Sequence, residues 1–113
     1  MCTKDELNNV LLIVADEAKK IFAEKLHSVV LFGSYARGDY DDESDVDILI
    51  LSNITSSDIN EYTKKLRTKI YHLEIEHNCV LSLCIIPQGT FEQFKDVIPF
   101  YQNIAREGIQ IAG

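Results

Sequence analysis

SVVLFGSYARGDYDDESDVDILILS, residues 28–52, decides the fold. It holds two apolar runs, SVVLF (28–32) and DVDILILS (45–52), each of the length and β-branched character of a buried strand. Between them lies a polar stretch that opens abruptly at Gly33-Ser34, where the pattern predicts one helical turn from Ser34 to Arg37. Two strands this close in sequence, joined by so polar a loop, predict neighbours in one sheet.

Outward from this stretch the periodicity changes from two to about 3.6. Leu7, Val10, Leu11, Val14, Ala18, Ile21, Phe22 and Leu26 recur at three- and four-residue steps, which predicts an amphipathic helix over about 4–26. Thr3 and Glu6 match a capping box at its start. On the other side, Ile59, Tyr62, Leu66, Ile70 and Leu73 form one stripe of a helix over about 57–77, with Lys64, Lys65 and Arg67 outside. CVLSLCII (79–86) reads as a third buried strand. Thr90 with Gln93 fits the cap of a short helix through Phe94, Pro99 suits the first turn of another, Gly108 suits its stop, and IQI (109–111) reads as an edge strand. The order α-β-β-α-β-α-α-β predicts an α/β (α+β) domain, a small mixed β-sheet with helices packed on it. Strands this continuously apolar require cover on both faces of the sheet centre.

The whole chain has 113 residues, the size of one domain. With 46% apolar and 26% charged residues it can build a core without disulfide staples. Eleven basic against 18 acidic residues leave −7 net, which argues against nucleic acid as a direct ligand gripped by its phosphates. Cys2, Cys79 and Cys84 make no CxxC pair and are an odd count, the pattern of reduced thiols in a cytoplasmic protein. The N-terminus does not read as a signal peptide, and no apolar run approaches the ~20 residues that span a bilayer. His27, His72 and His77 have no metal-ligand spacing with the cysteines, so they read as packing or surface residues. Cys79 and Cys84, an odd step apart on one strand, read as small core residues on opposite faces.

Chemistry concentrates in residues 33–47. Asp45 and Asp47 stand two apart at the predicted start of a strand, so both carboxylates project from the same face, with Cα atoms roughly 6.5–7 Å apart. Like charges beside an apolar core repel and are poorly hydrated. A hard divalent cation relieves both costs, and Mg²⁺ commonly uses one or two carboxylates together with substrate phosphates. Gly33 permits close approach of an anion to the backbone, and the Ser34 hydroxyl adds a donor, so strand-Gly-Ser-turn reads as a triphosphate cradle. If the two strands pair, cradle and carboxylates face one site. Asp39, Asp41, Asp42 and Glu43 read as a solvated loop, while Tyr35 and Tyr40 flank the segment where a base could stack on them.

Gly33-Ser34, ten intervening residues, then Asp45-Val46-Asp47 resembles the signature of the DNA polymerase β-like nucleotidyltransferases. Arg37-Gly38, Ser44-Asp45, the chain length and the closing FYQNIAREGIQI (100–111) are similar to its minimal nucleotidyltransferase (MNT) type. The resemblance implies the polymerase β-like fold over residues 1–113 as a single domain. It implies Mg²⁺ (two ions possible) on Asp45 and Asp47 as the catalytic and metal pair, and the β/γ-phosphates of ATP or another NTP at Gly33 and Ser34. Arg37 matches a motif arginine that either contacts phosphates or braces the loop. An acceptor hydroxyl would attack the α-phosphorus and pyrophosphate would leave. MNT proteins pair with a helical HEPN-type protein in toxin–antitoxin systems, so the resemblance implies an antitoxin that moves AMP to a tyrosine of that partner.

One departure stands out. Members of the family carry a third carboxylate on a later strand, and CVLSLCII has none; Ser82 lies where it would be sought, and Glu74 and Glu76 precede the strand. Losing a general base typically costs ~10²–10⁴-fold. The alternative reading is therefore a weakly active or inactive nucleotidyltransferase-fold module that acts by complex formation with its partner.

Overall fold

Thr3 Oγ1 accepts a hydrogen bond from the Glu6 N–H at 3.1 Å, and Glu6 Oε1 accepts one from the Thr3 N–H at 3.3 Å. This is the expected capping box, and it starts helix α1 (Lys4–Phe22). The computed structural model describes residues 3–112, so Cys2, read above as a reduced thiol, lies outside the described residues. The helix ends sooner than its apolar spacing predicts. Ala23 adopts φ 50°, a short 3₁₀ turn follows, and Leu26 opens strand β1 (Leu26–Phe32). Leu26 still meets the core, but from the sheet.

The remaining elements are α2 (Ser34–Arg37), β2 (Val46–Ser52), α3 (Ile59–Glu76), β3 (Leu81–Pro87), α4 (Gln88–Phe94), α5 (Pro99–Glu107) and β4 (Ile109–Ala112). The order is the expected one, with α2 as the single helical turn after Gly33. Three boundaries move. Asn78 takes a left-handed φ of 49° after α3, and β3 begins at Leu81, so Cys79 is buried ahead of the strand. Helix α4 begins at Gln88 after Pro87, with no side-chain cap, so Thr90 sits inside it and not at its start. Asp45 falls one residue before β2.

The four strands form one mixed sheet in the order β3-β2-β1-β4. β1 is antiparallel to β2 and β4, and β2 is parallel to β3. Side chains alternate across it. Val46, Ile48 and Ile50 of β2 join the larger core beneath α1 and α3, with Val10, Val14, Leu66, Ile70 and Leu73. Leu49 and Leu51 face the other way, onto Phe91 of α4 and Ile104 of α5. Both faces of the sheet centre are covered, as continuous apolar strands require. Cys79 and Cys84 pack into different cores, though Cys79 does so from outside the strand expected to hold both, and among the described residues neither forms a disulfide. Between α1 and α3, Phe22 stacks on Tyr62 with ring centroids 4.8 Å apart. Among the described residues no helix is long and apolar enough to cross a membrane.

Arg67 departs from its expected place outside α3. Its Nη1 donates to Glu74 Oε1 at 3.0 Å and its Nη2 to the Leu81 carbonyl at 2.9 Å, while Glu74 Oε2 accepts from the Leu81 N–H at 3.2 Å. Two side chains of α3 thus satisfy both backbone groups of the first residue of the edge strand β3. The Glu74→Ala variant strips the N–H of its acceptor and Arg67 of its partner. It should lose about 1–3 kcal/mol of unfolding free energy, whereas Glu76→Ala, at an exposed position, should stay within about 0.5 kcal/mol. Urea denaturation of both variants checks this.

Candidate active site

The β1–β2 register sets Phe32 opposite Asp47, and the β2–β3 register sets Asp47 beside Ser82. Alternation then places Asp47 on the same face as Leu49 and Leu51, at the end of the sheet where β1 gives way to α2. Gly33 is the first residue past β1, with φ 74°. A Cβ on Gly33 would collide with Asp47 Oδ2, and would lie 3.1 Å from the carboxyl carbon. The carboxylate therefore occupies the space that any other residue at position 33 would fill. Glycine is demanded twice here, by conformation and by contact.

Asp47 lies between the bare Cα of Gly33 on the β1 side and the Ser82 hydroxyl on the β3 side. Burial pushes its carboxyl above the ordinary aspartate range, and the neighbouring charge of Asp45 adds to the rise; Arg37 and the hydrogen bond with Ser82 pull it back. Asp45 itself is exposed. One carboxylate is thus half-desolvated beside a second that raises the cost of its charge. That donor set suits a hard dication. Among the described residues no group of three or more His, Cys, Asp and Glu gathers into a metal-holding cluster, so a cation held by Asp45 and Asp47 needs further oxygens from a bound substrate or water.

A cavity of about 330 Å³ opens beside Asp47, lined by Gly33, Ser34 and Arg37 on one wall and by Phe100, Asn103 and Glu107 of α5 on the other. Arg37 Nε donates to Asp39 Oδ2 at 3.1 Å and Nη1 to Glu107 Oε2 at 3.3 Å, so it braces the loop as one of its two expected roles has it. Asp41 is more than a solvated acid. Its Oδ1 accepts from the Glu43 N–H at 2.9 Å and from the Ser44 hydroxyl at 3.2 Å, and so it shapes the turn into β2.

Gly33, Ser34, Arg37 and Asp47 line one cavity; Asp45 is exposed and does not line it, and only its charge reaches Asp47. Tyr35 and Tyr40 do not join them. They stack on each other, ring centroids 4.3 Å apart, with Tyr35 buried in the core. Helical spacing explains this: Ser34 and Arg37, three apart, share the outward face, while Tyr35 turns inward. Phe32, Phe100, Asn103 and Glu107 were not singled out from the sequence. The spacing of Phe100, Asn103 and Glu107 puts them on one helical face, but only the packing of α5 on Phe32, seen in the edge-to-face contact of Phe32 with Phe100 at 5.7 Å, brings that face to the site.

Residues 14–110 match the model of the nucleotidyltransferase domain family, and the chain belongs to that family. It is 32% identical over 90 residues to the candidate protein adenylyltransferase MJ0604 of Methanocaldococcus jannaschii, covering 80% of this chain and 82% of that one. To MJ0141, a candidate protein adenylyltransferase of the same organism, it is 52% identical over 46 residues, 41% of this chain and 46% of the relative, so less than half of that relative's length is matched. Its fold is that of a candidate minimal nucleotidyltransferase (TM-score 0.54, 19% identity, 93% and 92% of the two chains). The same fold appears in a toxin-antitoxin crystallised with AMP-PNP (TM-score 0.50, 20% identity, 91% of this chain and 70% of that one).

Two outcomes follow from the Gly33–Asp47 contact. Gly33→Ala should destabilise the fold by about 1–3 kcal/mol through its left-handed backbone alone, and displace Asp47 besides; thermal unfolding with NMR of the Asp47 amide reads both. Asp47→Asn should instead stabilise the chain at neutral pH. In the window between the ordinary carboxylate pKa and the raised one of Asp47, the folded chain keeps a proton that the unfolded chain has lost, so wild-type stability falls as pH rises through it. The advantage of Asp47→Asn should appear across that window, persist above it, and vanish below the ordinary carboxylate range. Denaturation at pH 3 and pH 7 checks the sign.

Proposed function

We propose that this chain transfers AMP from ATP to a hydroxyl of a partner protein. The observation that carries the proposal is the packing of the Asp47 carboxylate against Gly33, which brings that acid and a Gly-Ser turn to one cavity, with the charge of Asp45 felt at Asp47. Family membership supports the nucleotidyl chemistry, and the names of the relatives support a protein as acceptor.

In this reading Asp45 and Asp47 hold Mg²⁺, which supplies charge neutralisation on the phosphates when bound. The Ser34 hydroxyl donates to the β/γ-phosphates, which approach closely because Gly33 has no side chain. Arg37 offers further donors from the cavity wall. The acceptor oxygen attacks the α-phosphorus in line, the bond to the bridging oxygen breaks, and pyrophosphate leaves with its electron pair. The acceptor proton passes to solvent or to a base of the acceptor protein. Like the toxin-antitoxin with the same fold, the chain would work beside a partner, a HEPN-type protein whose tyrosine takes the AMP. Residues 1–113 act as one domain, and Cys79 and Cys84, in no disulfide among the described residues, fit a cytoplasmic setting.

A specific observation favours a second reading. Ser82, not an acid, is the residue of β3 beside Asp47. A chain without a base there can act as a binding module that neutralises its partner by contact alone.

Incubation with ATP labelled at the α-phosphate, Mg²⁺ and the partner protein separates the two. Transfer of label that drops at least about a hundredfold in Asp47→Asn supports the enzyme. Because that variant is expected to fold more stably than wild type, lost transfer would reflect lost chemistry. Tight partner binding without label transfer supports the module.

A further inference from the structure

Glu107 lies 70 positions beyond Arg37 in the sequence, yet its carboxylate reaches across the cavity to the Arg37 guanidinium. The guanidinium offers five N–H donors in a rigid plane. Asp39 takes Nε, within two residues of Arg37, and Glu107 takes Nη1, from the end of α5. Nη2 is committed to neither. A planar group tied at two of its three nitrogens has the third fixed in direction.

The strength of these contacts says what they are for. Arg37 and Asp39 are exposed and Glu107 is part-exposed. Exposed ion pairs of that kind contribute little to stability, so the fold gains little from them. Orientation is another matter, because an untethered arginine spreads over many rotamers and must be ordered when an anion binds. Holding it in advance removes that cost from binding.

We infer that Glu107 is a positioning residue for the nucleotide: together with Asp39 it fixes Arg37 so that the uncommitted Nη2 meets the polyphosphate of ATP. The inference deepens the proposed function and rests on it. It also gives α5 a role beyond covering the sheet. Its first turn puts Phe100 on the cavity wall, and its last residue, Glu107, holds a residue of the opposite wall.

Titration calorimetry with Mg·ATP and Mg·AMP tests it. Wild type should bind Mg·ATP. Glu107→Ala should bind it about three- to tenfold more weakly, a loss of about 0.7–1.4 kcal/mol, with affinity for AMP unchanged. Glu107→Gln keeps an oxygen acceptor for Nη1 and should recover most of the loss. In an Arg37→Ala background, Glu107→Ala should add nothing. A merely structural role would weaken AMP and ATP alike and would persist without Arg37. ATP affinity in Glu107→Ala equal to or tighter than wild type overturns the inference while leaving the nucleotide site standing. Absence of Mg·ATP binding in wild type overturns the underlying function instead.

Discussion

One carboxylate resting against a backbone carbon organises this molecule's chemistry. Asp47 fits only because position 33 has no side chain, and Gly33 reaches it only because β1 and β2 pair with Phe32 opposite Asp47. The β hairpin is in turn held by cores on both faces of the sheet. The constraint runs both ways. The apolar sheet drives the acid out of bulk water, and that desolvation, with Asp45 beside it, makes the bare acid pair costly. A site that is uncomfortable when empty favours a cation that relieves it. The fold gives up stability at Asp47 that a fully solvated acid would not cost.

Most of the architecture was legible because its residues are locally consistent. The strands 28–32 and 45–52 carry continuous apolar runs, the capping box at Thr3 and Glu6 sits before a periodic helix, and Pro99 and Gly108 bracket α5. The boundaries that moved did so for backbone reasons. Ala23 takes positive φ, which its residue type does not announce, and so α1 stops early; Asn78 also takes positive φ, which asparagine tolerates, and β3 starts late. Asp45 slipped out of the strand by one residue.

The candidate site was half legible. Gly33, Ser34, Asp45 and Asp47 announce themselves through chemistry and spacing within fifteen residues. The opposite wall does not. Phe100, Asn103 and Glu107 sit far along the chain, and only the packing of α5 over Phe32 turns a helix face into a cavity wall. Tyr35 and Tyr40 misled for the opposite reason: adjacency in sequence to a functional turn says nothing about which way a ring points, and theirs point to each other. Arg67 misled likewise, since a charged residue beside an apolar stripe can reach a strand edge as readily as solvent.

The account's central claim is that the acid pair and the Gly-Ser turn share one cation and one nucleotide. Paramagnetic broadening by Mn²⁺ in the presence of AMP-PNP measures this directly in the ¹⁵N spectrum. The account predicts that the amides of Gly33, Ser34, Asp45 and Asp47 vanish first, while those of Lys25 and Asn53, at the opposite end of β1 and β2, stay sharp. Broadening centred elsewhere, or uniform and weak over the acidic loop without nucleotide dependence, would contradict it.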